Sequence, residues 1–112
     1  MKIDISPLSI NKAFKGRRFK TPEYKQFEEE FWYRLPNDFK VPEGKLQLWI
    51  VFGTSSKLSD TDNFLKLSID VLQKKYNFND RRIFRILADK HITKKGEEFI
   101  SFQFYKLTDK FK

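Results

Sequence analysis

The sequence predicts one compact domain of mixed α/β class over residues 1–112, a four-stranded mixed sheet with two packed helices in the order β-α-β-α-β-β. Three observations predict it. Two stretches carry apolar residues at three- and four-residue spacing, the period of an amphipathic helix, and four short stretches read as strands, three of them alternating with period two. No internal repeat, glycine-rich linker or low-complexity tract divides the chain, so elements in this order pack as helices on one sheet. At 112 residues about two-thirds of the unfolded surface is buried on folding. Thirteen Phe, four Tyr and two Trp supply that core with large rings.

Each element has a local cause. Ile3 and Ile5 alternate with Lys2, Asp4 and Ser6, a short strand over 2–6 that Pro7 stops. Residues 8–20 read as a basic loop. Thr21 before Pro22 is an N-cap with proline at the first helical position, and Tyr24, Phe27, Phe31 and Leu35 give a helix over 22–35. Asn37, Pro42 and Gly44 punctuate a connection. Leu46, Leu48, Ile50 and Phe52 then alternate with Gln47, Trp49 and Val51, a central strand with two largely apolar faces. A Gly/Ser/Thr loop spans 53–59, and Phe64, Leu65, Ile69, Leu72 and Tyr76 predict a second helix over 61–76. Asn77–Asp80 is a turn and Ile83–Ile92 a strand. Lys94–Gly96 is a hairpin signal before Ile100, Phe102 and Phe104 alternate in the last strand.

Composition narrows the function classes. Zero Cys removes disulfides and sulfur-ligated zinc, and a single His removes histidine metal cages. His91 therefore reads as a surface or hairpin residue rather than a catalytic base. Neither a G-x-G-x-x-G nor a Walker A loop can be written with Gly16, Gly44, Gly53 and Gly96, so no nucleotide cofactor is expected. The first residues carry Asp4 and lack an apolar stretch of signal-peptide length, and Leu46–Ser56 is too short to cross a bilayer, so a cytoplasmic location without membrane contact is expected. Twenty-three Lys and Arg against 15 Asp and Glu give a net charge of +8, which makes polyanions the natural partners.

Two groups of residues carry chemistry. Asp60 and Asp62 bracket Thr61 where a loop becomes a helix, so both carboxylates can face one mouth. Hard oxygen ligands of this kind suit Mg²⁺ in phosphodiester hydrolysis, which needs few protein carboxylates beside substrate oxygens. The alternative is helix capping, since Ser59-x-x-Asp62 matches a capping box and acids are favoured at a helix start. Lys66 lies one turn beyond Asp62 and can reach a phosphate, or else forms an ordinary ion pair with Asp62 or Asp70. Asp80 follows in the turn after the helix, where a returning chain can bring it to the same mouth; its alternative is a plain turn aspartate. The second group runs from Asn11 through Lys12, Phe14, Lys15, Arg17, Arg18 and Phe19 to Lys20, cations interleaved with rings, which suits phosphate neutralisation and stacking on unpaired bases. Lys74, Lys75, Arg81, Arg82 and Arg85 add a basic cluster around Asp80. The run Glu28–Glu30 reads as a solvent face.

The string Asp60-x-Asp62-Asn63-x-x-Lys66, with Asp80 after the helix and Pro7-x-Ser9-x-Asn11 near the start, resembles the RusA family of Holliday junction resolvases over most of the chain. The resemblance implies a compact mixed α/β subunit of a homodimer that resolves four-way DNA junctions by paired nicks using Mg²⁺, with Mn²⁺ as a substitute. It also implies that Asp60, Asp62 and Asp80 bind the metal and that Lys66 is the catalytic lysine. Two departures stand out. Only Lys57 occupies the segment before the first aspartate, where family members can carry a dense arginine run, and Asn79 stands where an acid may precede the last aspartate. Two rivals from other classes remain: a non-catalytic nucleic-acid-binding module that uses the 11–20 segment while the aspartates cap a helix, and a protein that meets an acidic protein partner.

Overall fold

The computed structural model describes residues 1–15 and 19–108, without the side chains of Phe14, Lys15 and Phe19. The elements in chain order are β1 (Lys2–Ile3), α1 (Ile10–Ala13), β2 (Phe14–Lys15), β3 (Phe19–Lys20), α2 (Pro22–Arg34), β4 (Leu46–Thr54), α3 (Asp62–Tyr76), a 3₁₀ turn (Asp80–Arg82), β5 (Ile83–Ile92) and β6 (Phe99–Lys106). The mixed α/β class and the four-stranded mixed sheet are as expected. The first strand is shorter than 2–6, because Ile5 N–H turns back onto the Ile3 carbonyl at 3.0 Å. The basic segment is not a plain loop: it contains the single turn α1 and the antiparallel pair β2–β3.

Strand order is β1-β6-β4-β5, with β5 parallel to β4 and β6 antiparallel to it. The expected hairpin between the last two strands is therefore absent. The β5–β6 connection does turn, with Gly96 at φ +94°, but β4 lies between the strands it joins. A tight turn is a local signal, whereas adjacency depends on which strand best fills the centre. β4 fills it because Leu46, Leu48, Ile50 and Phe52 are all fully buried, each worth about 1.5–3 kcal/mol in burial. The other face of β4 is open: Trp49 is exposed and donates from Nε1 to Asp89 Oδ2 at 3.0 Å. The sheet is thus covered on one side only, although β4 is central and largely apolar on both faces, as expected. On the open side the Phe99 ring occupies the space above Gly53, where a Cβ would lie 2.3 Å from it. Lys2 Nζ lies 4.7 Å from the centre of that ring and His91 meets it edge-on.

Both long helices pack on the covered face. The Thr21 hydroxyl accepts from Tyr24 N–H at 3.3 Å and donates to the Lys12 carbonyl at 2.6 Å, so one side chain caps α2 and ties down the basic segment. Tyr24, Phe27, Phe31 and Leu35 are buried as the spacing predicts. In α3 the buried face comprises Phe64, Leu67, Ser68, Ile69, Val71 and Leu72, wider than the predicted stripe. Ser68 is tolerated there because its hydroxyl donates to the Phe64 carbonyl at 3.0 Å. Asn77 closes α3 in the left-handed conformation at φ 52°, which asparagine accepts better than most residues. Phe31 is wholly buried, its ring centre 5.5 Å from that of Phe27 and tilted by 42°. Phe31→Ala is expected to lower stability by about 3–5 kcal/mol in urea unfolding.

Candidate functional site

The parallel β4–α3–β5 unit determines where the acids lie. β4 ends at Thr54, and the 55–61 loop crosses to the start of α3, so Asp60 and Asp62 sit beyond the carboxyl end of a parallel strand pair. That edge is where open α/β sheets usually place ligands. The loop is held at both ends. Ser56 N–H donates to Thr54 Oγ1 at 3.1 Å, Ser55 Oγ donates to Glu98 Oε2 at 3.0 Å, and Lys90 Nζ reaches from β5 to the Ser59 carbonyl at 2.7 Å. Lys90 was not singled out from the sequence, yet it fixes the residue next to Asp60.

The hydrogen-bonded capping box at Ser59–Asp62 does not form, although Asp62 does stand in the first turn of α3, where the helix dipole favours an acid. Ser59 Oγ donates to Ser56 Oγ and accepts no helix N–H, Thr61 occupies the cap with no side-chain bond, and the Asp60 backbone carbonyl, not its carboxylate, receives Asn63 N–H. Among the described residues the exposed carboxylates of Asp60 and Asp62 make no hydrogen bond or ion pair, and neither does the exposed Lys66 ammonium. The expected alternative of an Asp62–Lys66 or Lys66–Asp70 salt bridge is likewise not formed.

Asp80 stands elsewhere. It opens the 3₁₀ turn, whose cap is Asn79: the Asn79 Oδ1 accepts from Arg81 N–H at 2.9 Å, and the exposed Asp80 carboxylate makes no hydrogen bond or ion pair among the described residues. Its own N–H donates to Gln73 Oε1 at 2.8 Å, and Gln73 Nε2 donates to Asp70 Oδ1 at 3.4 Å. Gln73 lies eleven residues beyond Asp62 on α3, about 16 Å along the axis at 1.5 Å per residue. Carboxylates that share Mg²⁺ must each bring an oxygen within about 2.1 Å of it. One protomer therefore does not bring Asp80 to the mouth formed by Asp60 and Asp62, and no cluster of three metal-ligating side chains exists among the described residues.

What the fold does assemble is a row along α3: Asp62, Lys66 and Asp70 at four-residue intervals, with Asp80 joined to its end through Gln73. Asp70 is the member that sequence reasoning passed over as a mere pairing partner, although its spacing from Asp62 and Lys66 places all three on one helix face. Burial lifts the Asp70 carboxyl above its ordinary value; Lys66 and Lys74 oppose the rise, while Asp80 and Glu28 add to it. Tyr24 next to this group is pushed up to about 12, by burial first and then by the charges of Glu28 and Asp70.

The basic residues divide into committed and available. Lys20 pairs with Glu28 at 3.1 Å and lies over the Tyr24 ring, and Lys74 pairs with the other oxygen of Glu28 at 3.0 Å. Lys75 donates to Asn37 Oδ1, and Arg82 donates to the carbonyls of Pro42 and Gly44. The expected cluster around Asp80 is thus largely spent on holding connections together. Glu28, read as part of a solvent face, is instead the junction between α2, α3 and β3. Asn11 and Lys12 are exposed on α1, which packs against both α2 and α3. Arg17 and Arg18 lie outside the described residues, as do the side chains of Phe14, Lys15 and Phe19. No helix among the described residues is long and apolar enough to cross a membrane. Comparison with protein-family models and with curated proteins yields no match for the chain.

Glu28 generates a pH prediction. Burial acts to raise its carboxyl, but hydrogen bonds and charge from Lys74 and Lys20 outweigh burial and hold it below its ordinary value. A carboxyl depressed in the folded state contributes stability above its unfolded pKa, and that contribution is lost as pH falls through the folded value. Glu28→Gln is expected to destabilise the protein at neutral pH and to flatten the loss of stability between about pH 5 and pH 3. Thermal unfolding across that range checks it.

Proposed function

We propose that the chain is one subunit of a Mg²⁺-dependent, structure-selective endodeoxyribonuclease of the RusA type, acting on four-way DNA junctions as a homodimer. The observation that carries this reading is the state of Asp60 and Asp62: exposed carboxylates with no hydrogen bond or ion pair among the described residues, one on a firmly tethered loop and one in the first turn of α3, at the carboxyl end of a parallel strand pair. Their chemistry fits a hard, oxygen-seeking cation with room for water and phosphate oxygens. When bound, such a cation polarises a phosphodiester oxygen and lowers the pKa of water.

Asp60 and Asp62 would hold the ion, and Asp80 would complete the set from a second copy, since α3 keeps it far from the pair within one chain. A two-fold axis crossing near the middle of α3 would bring the Asp80 end of one subunit to the Asp60 end of the other and give two equivalent sites for a branched substrate. Lys66, one turn beyond Asp62 and unpaired among the described residues, offers its ammonium to charge developing on the phosphate. Asn11, Lys12, Lys15, Arg17, Arg18 and Lys20 position the DNA backbone. Lys20 contributes least, because Glu28 already neutralises it. Phe14 or Phe19 stacks near the branch point.

The separation of Asp80 from Asp62 favours a second reading, a non-catalytic nucleic-acid-binding module, and one experiment decides between them. A synthetic four-way junction is expected to be nicked with Mg²⁺ and left intact with EDTA, and Asp62→Asn is expected to slow nicking by about 10²-fold or more. Mixing Asp62→Asn with Asp80→Asn subunits regenerates one intact composite site per mixed dimer, so roughly a quarter of wild-type nicking returns after subunit exchange. No metal-dependent product at any enzyme concentration overturns the nuclease reading. Cleavage that is not restored by mixing overturns the composite site.

A further inference from the structure

Two rings stand on the open face of the sheet, where no helix among the described residues lies over them. Trp49 on β4 is 43% exposed and Tyr105 on β6 is 44% exposed. Gln103 is opposite Trp49 and Gln47 is opposite Tyr105, so the two rings are diagonal neighbours on paired antiparallel strands, with Cα atoms about 7–8 Å apart. Between them lies a depression of about 190 Å³, lined also by Val51, Ser101 and Gln103. The indole is held in place, because its Nε1 donates to Asp89 Oδ2 at 3.0 Å. That bond engages the edge of the ring and not its face, and a ring already ordered loses little freedom when something stacks on it.

Charge and hydrogen-bonding capacity decide what this face accepts. Among the residues of β4, β5 and β6 aligned on the open side, Asp89 is the one acid, and Trp49 already engages one of its oxygens. Ammonium groups bracket the rings: Lys45 immediately precedes β4 at the Tyr105 end, and Lys2 on β1 stands opposite Ser101, level with Val51. The six residues from Lys45 to Val51 correspond to about 20 Å of strand. The glutamates of α2, Glu23, Glu28, Glu29 and Glu30, belong to the helical layer on the other side of the sheet. The side-chain amides of Gln47 and Gln103 are on the open side and make no hydrogen bond among the described residues. An apolar protein surface docked here would strip those amides of water and give nothing in return. Unpaired nucleotides match every part: π-faces for the rings, polar base edges for the amides and phosphates for the ammonium groups.

We infer that the open face of the sheet is a binding platform for a single unpaired polynucleotide strand, its bases stacked on Trp49 and Tyr105, its base edges met by Gln47 and Gln103, and its backbone carried between Lys45 and Lys2. A duplex does not bind in this way, because paired bases keep their faces inside the stack. The platform is separate from the basic 11–20 segment, since α1 packs against α2 and α3 on the covered side of the sheet. It uses neither a metal nor the carboxylates of Asp60, Asp62 and Asp80, so it stands independently of the nuclease reading.

The chain has two tryptophans, so Trp32→Phe leaves Trp49 as its sole indole. In that background, with EDTA present so that no strand is cut, an oligothymidylate of about fifteen nucleotides is expected to quench the fluorescence by about half or more, and a duplex of equal length to leave it unchanged. An oligouridylate of the same length distinguishes the sugars: quenching by both oligomers shows that bases and phosphates are read, and quenching by one names the sugar the face takes. In anisotropy titrations of a labelled oligothymidylate, Trp49→Ala is expected to weaken binding about tenfold or more and Tyr105→Ala about fivefold or more. Gln103→Glu changes an exposed side chain, sets a carboxylate between the rings and is expected to weaken binding about fivefold, which keeps the test decisive should Trp49→Ala fail to fold. The inference is overturned if no single strand binds at high micromolar concentration, or if a saturating single strand leaves the Trp49 emission unmoved. Equal quenching by the duplex overturns it too, as does single-strand binding indifferent to both Tyr105→Ala and Gln103→Glu.

Discussion

The stiffness of α3 is the constraint on which the arrangement of the site depends. Its fifteen residues span about 21 Å, and Phe64, Leu67, Val71 and Leu72 fasten it along its length to the covered face of the sheet. A packed rod of that length fixes its two ends relative to each other as firmly as a covalent spacer. Asp62 stands at one end and Asp80 just past the other. Any chemistry that uses both must therefore bridge the length of the helix, and the chain cannot do so by bending, because a kink would open the core beneath Phe64 and Leu67.

Charge is distributed with a comparable division of labour. In a chain of net charge +8, acids without an ion pair are the less expected feature, and Asp60, Asp62 and Asp80 are such acids among the described residues. Lys20 and Lys74 share Glu28, Arg82 secures the connection before β4, and Lys90 secures the loop before α3. These cations act as tethers between elements distant in sequence. Their ion pairs are partly exposed and individually weak, but they position the backbone around Asp60 and around Asp80. The Asp70 carboxyl, lifted by burial and by its acidic neighbours, marks the one stretch of α3 where negative charge is crowded.

The sheet itself is asymmetric. Even-numbered residues of β4 and of β6 up to Phe104 are buried toward the helices, while odd-numbered ones carry Trp49, Gln103 and Tyr105 on the open side. β5 shares the sheet but little of the cover, which is why its apolar side chains stay accessible although their pattern matches that of an inner strand.

Much of this was readable in the residues. Thr21-Pro22 with Tyr24, Phe27 and Phe31 specified α2 nearly to its ends, and the alternation from Leu46 to Phe52 specified a central strand, because caps and periodicity are local properties. The candidate acids were visible as residue types at helix-end positions. Strand order was not, since the Lys94–Gly96 turn looks the same whether its flanking strands pair or straddle a third. Nor was the single turn and short hairpin within 8–20, whose stability comes from Ala13 buried against α2 and α3 and from the Thr21 hydroxyl. The residue types, their charges and their local conformations followed from sequence because each depends on neighbours a few positions away. Whether Asp60, Asp62 and Asp80 meet depended on distances across the fold, and those were decided by one rigid helix lying between them.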